Sequence, residues 1–122
     1  METSELTGVA LDWAVAKCEN LTPKIPAHTE NWTNKWLLYS DCNGQDHLLP
    51  SYVNTWALAG PIIEREAIWV KKITTGLWVA RLNNEDYWHS GVQGQTLIEA
   101  AMRCYVASKL GEEVDIPDEL MG

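Results

Sequence analysis

The chain has 122 residues, a formal net charge of −8, and seven tryptophans but no phenylalanine. Its length predicts one domain over residues 1–122 that buries roughly two-thirds of its unfolded surface. The negative charge excludes general nucleic-acid binding, because phosphates would repel the protein. No apolar run approaches the roughly 20 residues of a membrane span, so we expect no membrane association.

The cysteines and tryptophans define the chemical class of the protein further. Three cysteines, an odd number, occur in a sequence without a charged and then apolar leader. We therefore expect a reduced, cytoplasmic protein with free thiols. The tryptophans allow two interpretations: most can fill the core, or two or three can line a recognition surface, where this residue is favoured.

The first helix is predicted after Thr7, in the sequence GVALDWAVAKCEN. Thr7 is placed to cap this helix, and Leu6 is placed to pack against Leu11 as a hydrophobic staple. Asp12 falls on the polar side of the same helix. We therefore expect Asp12 to remain in solvent.

Between the first helix and residue 54 the sequence predicts little regular structure. Thr22–Thr33 and Gln45–Val53 show no periodicity and predict loops. Lys35–Ser40 predicts a short strand that ends in a turn at Asp41-Cys42-Asn43-Gly44. The oxygen-bearing side chains of this turn do not recur at the positions that a calcium loop requires.

A middle helix is predicted from Trp56 towards Glu66, with Asn54-Thr55 able to cap it. Gly60-Pro61 falls inside this helix and must either kink it or restart it.

A β-hairpin is predicted next, because Ile68–Ile73 and Leu77–Leu82 both alternate in polarity. Thr74-Thr75-Gly76 joins them as a three-residue loop with a left-handed glycine. A third strand is predicted over Asp86–Ser90.

The strongest helix signal lies in Gly94–Gly111. Thr96 and Glu99 predict a capping box, in which the hydroxyl accepts the Glu99 N–H and the carboxylate accepts the Thr96 N–H. Gly111 supplies the left-handed residue at the other end. Apolar residues cover most of this helix, so we expect it to lie against a sheet as the main core element.

The predicted elements define an α+β fold. We expect a single domain with a short antiparallel sheet of three to four strands, covered by N-terminal, middle and C-terminal helices. In the acidic tail Glu112–Gly122, Ile116 and Leu120 are expected to dock on the domain.

No residue pattern indicates a cofactor, a metal or catalysis. The histidines and cysteines lack the spacing of zinc sites. Cys42, Asp46 and His47 include the residue types of a thiol nucleophile system, but a polar loop explains them more simply. We therefore predict no cofactor, no metal site and no enzymatic activity.

Four stretches carry a resemblance to a known family: LDWAVAKCE at Leu11–Glu19, Trp56 with GPIIERE at Gly60–Glu66, LWVARL at Leu77–Leu82, and AAMRCYVASKLGEEVDIPDEL at Ala100–Leu120. Together they resemble the NinX-like family of lambdoid phage and prophage proteins, whose function is unknown. The resemblance implies a dispensable accessory protein in the cytoplasm of the bacterial host and supplies no catalytic residues. It does not extend to Thr22–Val53, and it leads us to expect glycine where this chain has Ala67.

Two functional hypotheses remain open. In the first, a non-catalytic protein captures a host protein through an acidic, tryptophan-bearing surface, in counter-defence or host modulation. In the second, the protein binds or sequesters a small nucleotide-like signal, with indoles stacking on the base and cations neutralising phosphate. The candidate binding residues are Trp56, Trp69, Arg65, Lys71, Lys72 and Arg81.

The role of Trp56 is the least determined of these. Beside the backbone break at Gly60-Pro61, its indole can form a partly exposed recognition edge, or it can close the core under the helix. Arg65 can belong to the same edge or simply remain solvated between two glutamates. The sequence identifies neither the partner nor the ligand. We expect a small homo-oligomer, because the apolar content can leave a patch to cover.

Overall fold

The computed structural model describes residues 2–25, 37–82, 91–117 and Leu120. In chain order its elements are a 3₁₀ turn (Thr3–Glu5), α1 (Gly8–Cys18), β1 (Pro23–Lys24), β2 (Leu38–Ser40), β3 (Asp46–Leu48), α2 (Trp56–Arg65), β4 (Ile68–Thr74), β5 (Leu77–Leu82), β6 (Val92–Gly94) and α3 (Leu97–Leu110). Within these ranges the strands form two antiparallel sheets, ordered β1-β2-β3 and β4-β5-β6. The α+β class is therefore as predicted, but the strands belong to two sheets where one was expected.

The helix α3 is the central element of the core. It lies against β4, β5 and β6, and both α1 and α2 pack on it. Its residues Ala100–Val106 are all buried. The largest fully buried side chains are Tyr105, Met102 and Val106 from α3, together with Leu6, Leu11 and Val15 from the first helical segment.

The start of α3 follows the predicted capping chemistry with one change. The Thr96 hydroxyl accepts the Glu99 N–H at 3.1 Å, as predicted. The Glu99 carboxylate accepts the N–H of Gln95 at 3.0 Å, one residue earlier than predicted. The helix ends at Gly111, whose φ of +89° is in the region that favours glycine.

At the start of α1, the predicted hydrophobic staple is present but the predicted N-cap hydrogen bond is not. Leu6 and Leu11 are both fully buried. Thr7 occupies the N-cap position, but its side chain makes no capping hydrogen bond.

Asp12 is buried, so its predicted solvation is wrong. Its carboxylate accepts hydrogen bonds from the Ser51 hydroxyl and the Val53 N–H, each at 3.0 Å. Burial raises the pKa of Asp12, and these hydrogen bonds only partly oppose that effect. The carboxylate therefore ties the segment before α2 to α1.

The first sheet is built from very short strands. β1 and β3 fall in Thr22–Thr33 and Gln45–Val53, which were both predicted to be loops, so those two predictions are wrong. The predicted turn between β2 and β3 is present, since Asp41 Oδ1 accepts the N–H groups of Asn43 and Gln45 at 2.9 Å. Residues 35 and 36 of the strand predicted at Lys35–Ser40 lie outside the described residues.

The helix α2 runs through Pro61 as one element. Ala67 then joins α2 to β4 with a φ of +54°, a left-handed conformation that glycine adopts more easily than alanine. A glycine at this position, as the resemblance implies, would fit the backbone without strain.

The predicted hairpin of β4 and β5 is confirmed, but its loop has two residues, Thr75-Gly76, and not three, because Thr74 belongs to β4 and pairs with Leu77. Its pairs run from Ile68 opposite Leu82 to Thr74 opposite Leu77, with a β-bulge between Lys72 and Thr74. Gly76 has a φ of +79°, as predicted for the turn.

The remaining predictions concern the segments on either side of α3. The strand predicted at Asp86–Ser90 lies outside the described residues, and β6 at Val92–Gly94 pairs with β5. Ile116 and Leu120 are buried as predicted, which docks the acidic tail on the domain.

Candidate functional site

The two faces of the β4-β5-β6 sheet can be assigned from the strand register. Residues directly opposite one another across antiparallel strands share a face, and successive residues alternate between faces. Trp69 is opposite Arg81, and Lys71 is opposite Val79. These four side chains therefore lie on one face, which we call the outer face. The residues between them, Val70 and Ala80 among others, face α3 and belong to the core.

The most exposed part of the outer face follows the edge strand β4. Trp69 is 47% exposed and Ile73 is 49% exposed, and the side chain of Lys71 between them is also exposed. These three residues occupy alternate positions, with Ile73 at the bulge. We call them the β4 ridge. Neighbouring members stand about 6.7 Å apart along the strand.

A buried arginine supports the indole at one end of the ridge. The Arg81 guanidinium carbon lies 5.4 Å from the centroid of the Trp69 ring, within cation–π distance. Arg81 is only 9% exposed. The guanidinium therefore contacts the exposed indole from a largely buried position.

The sequence of the hairpin that carries the ridge differs in charged residues from the rest of the chain. Residues 67–84 contain Lys71, Lys72 and Arg81 and no aspartate or glutamate, whereas the whole chain has a net charge of −8. Lys72 lies on the other side of β4, with its ammonium 5.9 Å from the centroid of the Trp78 ring. Three of the predicted site residues, Trp69, Lys71 and Arg81, thus share one face of the sheet.

Trp56 lies elsewhere, in the first turn of α2. It is 57% exposed, so the predicted partial exposure is confirmed and the interpretation that it closes the core is wrong. Its indole covers Gly60, where a Cβ atom would lie 3.5 Å from the indole nitrogen. This is an ordinary van der Waals distance, so the position of the indole does not require glycine at residue 60.

Arg65 is held at the junction of all three helices. Its guanidinium donates to the Glu19 carboxylate at 2.6 and 3.3 Å, to Glu66 at 3.0 Å and to the Tyr105 hydroxyl at 3.0 Å. Lys109 forms a second ion pair with Glu66 at 3.3 Å. The interpretation that Arg65 is merely solvated between two glutamates is therefore wrong, because it connects α1, α2 and α3.

The pKa values at this junction follow from the same contacts. Burial alone would raise the pKa of Glu19. Hydrogen bonds from Arg65 and Tyr105 lower this pKa by more than burial raises it, so the pKa of Glu19 is below its usual value. Burial and the hydrogen bond to Glu19 raise the pKa of Tyr105. The carboxylate thus stays charged and the phenol stays protonated at neutral pH, which suits a structural contact better than proton transfer.

The polar loop between β2 and β3 is organised by aspartates. Asp41 accepts a hydrogen bond from His47 Nε2 at 2.8 Å, and the His47 ring stacks on Tyr39 with centroids 5.3 Å apart. Asp46 pairs with the Lys24 ammonium at 2.6 Å. His47 and Asp46, which the sequence grouped with Cys42, are thus each bound to another residue of the same sheet.

The structure also shows how the cysteines are buried and whether residue types that bind metals come together. Burial raises the pKa of Cys18 to about 11 and that of Cys104 to about 11, so both are thiols at neutral pH. Cys42 is exposed. Among the described residues, no three His, Cys, Asp or Glu side chains form a group that could hold a metal ion.

A groove of about 680 Å³ lies where the two ends of the described chain meet; its lining includes Glu2, Glu112, Glu113 and Arg103. Arg103 is 8% exposed and was missed as a structural residue by sequence reasoning. Its guanidinium donates to the carbonyls of Leu6 at 2.7 Å and Gln93 at 2.8 Å. The three glutamates give this groove a negative charge that opposes phosphate binding.

Comparison with known proteins places the chain in a family. None of the helices in the described ranges is both long and apolar enough to cross a membrane. No curated protein matches the chain significantly. The family model described as Bacteriophage P22, NinX matches residues 2–109. Since this match covers most of the sequence, the chain belongs to the NinX family of phage accessory proteins, a family of unknown function.

Proposed function

We propose that this phage protein is a non-catalytic binding protein that captures a host protein through the β4 ridge, inside the bacterial cell. The observation that carries the proposal is the half-exposed Trp69, which lies 5.4 Å from the Arg81 guanidinium and on the same edge strand as the half-exposed Ile73. Tryptophan and arginine are the residues most enriched at binding hot spots. Capture of a host protein would suit an accessory role in counter-defence or host modulation.

A binding role is favoured over catalysis by the state of the ionisable groups. Burial keeps Cys18 and Cys104 protonated, because it raises their pKa values to about 11. The tyrosine with a raised pKa, Tyr105, bonds to Glu19 and Arg65 across the helix junction. These contacts hold helices together, and their pKa shifts do not match the needs of an acid or a base at neutral pH.

A host protein is favoured over a nucleotide-like ligand by the positions of the cations. The three nitrogens of Arg65 already donate to carboxylates. Arg65 is also on a different element from Lys71 and Arg81, so the cations do not converge on one phosphate-sized site. The groove at the chain ends is lined by glutamates. A row of side chains along a strand suits an extended protein segment better than a compact phosphate ester.

Photocrosslinking from position 69 tests the proposal. A photoreactive phenylalanine analogue replaces Trp69, the phage protein is expressed in its bacterial host, and the crosslinked host protein is identified and purified. We expect Trp69→Ala to weaken binding of that purified host protein by about 30-fold, the loss typical of a hot-spot residue.

Leu48→Ala is the matched control, because Leu48 is an exposed apolar residue on the other sheet. Its affinity should stay within about twofold of the parent, as expected for a position outside the binding site. Unchanged binding by Trp69→Ala, or an equal loss for both variants, would sink the proposal.

A further inference from the structure

We infer that the groove where the two ends of the described chain meet is a second docking site, for an extended, arginine-containing segment of another protein. This inference goes beyond the proposed function, because the groove is lined by residues outside the β4 ridge. It follows from the shape of the groove, from two carboxylates placed opposite each other, and from the apolar side chains beside them.

The groove is lined by two stretches of extended backbone. One is β6, which contributes Val92 and Gln93, and the other is the antiparallel bridge between Glu2 and Glu113. The volume of about 680 Å³ is within the usual range of ligand-binding cavities. Because β6 is at the edge of the described sheet, an extended segment can lie beside it.

The bridge places two carboxylate side chains directly opposite each other. Residues paired in this way have Cβ atoms about 5 Å apart, and like charges in such a pair are destabilising. Glu2 and Glu113 are both exposed, and neither carboxylate has an ion pair or hydrogen bond within the described ranges. Natural proteins retain unfavourable local arrangements mainly at functional sites. A cation that binds between the two carboxylates would relieve their repulsion.

The backbone that carries these carboxylates is fixed to the end of α3. Thr3 donates its N–H to the Glu112 carbonyl at 2.8 Å and its hydroxyl to the Gly111 carbonyl at 2.7 Å. The exposed Glu112 also lines the groove and adds a third negative charge. The backbone positions of the acidic residues are therefore set before a partner binds, which lowers the entropy cost of binding.

The arginine that lines the groove does not neutralise these glutamates. Arg103 donates to the carbonyls of Leu6 and Gln93 at 2.7 and 2.8 Å. Its remaining nitrogen forms an ion pair with Glu99 at 3.2 Å. Since Glu99 balances the charge of Arg103, the groove keeps an excess of negative charge that complements a basic segment.

An arginine of the partner suits the opposed carboxylates better than a metal ion does. Its planar guanidinium has five N–H donors and can bind both carboxylates at once. Its aliphatic stem can pack on Val92 and Ala107, which line the same groove. By contrast, no three His, Cys, Asp or Glu side chains in the described part of the chain form a group that could hold a metal ion.

Fluorescence anisotropy with the full chain tests the inference. The probe is a labelled peptide that alternates arginine and valine, and its control has glutamate in place of arginine. We expect only the arginine peptide to bind, more weakly at about 200 mM than at about 50 mM salt, because exposed charges are screened. An equimolar amount of spermidine or Mg²⁺ should leave the peptide bound. No binding, equal binding of the glutamate peptide, or displacement by either small cation would overturn the inference.

Two matched neutralisations locate the binding. Glu113→Gln should weaken the arginine peptide about fivefold, the effect of losing one exposed ion pair. It should also raise the urea midpoint of the free protein, because it removes the repulsion from Glu2. Glu5→Gln makes the same charge change at an exposed residue of the 3₁₀ turn that does not line the groove, so its affinity should stay within about twofold.

Equal losses for Glu113→Gln and Glu5→Gln would show that net charge alone attracts the peptide and would contradict the inference. A lower urea midpoint for Glu113→Gln would contradict the opposed carboxylate pair.

Trp69→Ala separates the groove from the β4 ridge. This variant should keep the parent's affinity for the arginine peptide, because Trp69 does not line the groove. The proposed function requires the same variant to lose affinity for the host protein. Weaker binding of the arginine peptide by Trp69→Ala would place the peptide on the ridge and overturn the inference, while host capture through the ridge is decided by the host protein alone.

Discussion

The α3-facing side and the outer face of the β4-β5-β6 sheet come from the same strands but differ in chemistry. Towards α3, Ile68 and Ala80 are buried in the core. Gly94 lies so close to α3 that a Cβ atom there would be 2.4 Å from the Ala100 nitrogen. On the outer face of β4, Trp69 keeps about half of its surface exposed.

Under the proposed function, residues that stabilise the fold and residues that bind the partner are one position apart along β4. Ile68 and Val70 of β4 face α3, whereas Trp69 and Lys71 face outward. Substitutions towards α3 should therefore change the free energy of unfolding, and substitutions on the ridge should change binding. Each of the following variants tests whether a residue contributes mainly to stability or to binding.

Met102→Ala should have the largest effect. Met102 is fully buried in α3, so its truncation should destabilise the protein by about 2–5 kcal/mol through lost burial and a residual cavity. Urea unfolding followed by circular dichroism measures this loss. A loss below that of Thr96→Ala would mean that α3 is not the main core helix.

Gly94→Ala should have the next largest effect on stability. The added methyl group would clash with the backbone of Ala100, and moving α3 away from β6 should cost about 1–3 kcal/mol. Gly44→Ala is not a suitable control, because Gly44 has a positive φ. Ala57→Gly, an exposed change in α2, instead gives the cost of a helix substitution without a clash, about 1 kcal/mol. A Gly94→Ala protein as stable as the parent in urea would contradict the close approach of α3 to β6.

Thr96→Ala should destabilise the protein by about 1 kcal/mol, because it removes the hydroxyl that accepts the Glu99 N–H at 3.1 Å. Thr96→Ser keeps the acceptor and should retain most of the stability. If both variants lose the same amount in thermal melts, the cap is not the source of the effect.

Ala67→Gly should stabilise the protein, by about 0.5–1 kcal/mol. The φ of +54° at Ala67 is unfavourable for alanine, and the relief should exceed the entropy that glycine adds to the unfolded chain. The urea midpoint should rise, while binding of the purified host protein at the β4 ridge should remain unchanged. A lower midpoint would show that the chain relaxes out of the left-handed conformation.

Ile73→Thr should have the smallest effect on stability, within about 0.5 kcal/mol, because the side chain is half exposed and threonine also favours strands. It should nevertheless weaken binding of the purified host protein, since the ridge loses one apolar contact. A large fall in the urea midpoint of Ile73→Thr would show that Ile73 belongs to the core. It would contradict the assignment of Ile73 to the outer face.

Sequence reasoning was most accurate where a chemical signal is local. The hydroxyl of Thr96 stands three residues before Glu99, and the alternation of β4 and β5 extends over six residues or more. By contrast, β1 and β3 contain two and three residues, which is too short for a period of two to be recognised.

The relative positions of the proposed site residues could be predicted only within one hairpin. Trp69, Lys71 and Arg81 share one face because they belong to β4 and β5, and their role in binding stays a prediction. Arg65 was assigned to the same site, but its partners include Glu19, which is 46 residues away in the sequence. Arg103 was missed similarly, since its acceptor at Leu6 is 97 residues distant. Contacts at such separations leave no periodic pattern in the sequence.

The contact between the first 3₁₀ turn and the C-terminal end of α3 can form only after α3 has been synthesised. The Thr3 hydroxyl donates to the Gly111 carbonyl at 2.7 Å across 108 residues. At a synthesis rate of about 5–20 residues per second, the first turn waits roughly 5–20 s on the ribosome before its acceptor exists. During that interval Leu6 and Leu11 lack the helix that buries them. The domain therefore completes its fold only after α3 has been made, and a nascent chain halted before α3 would expose its apolar first helix.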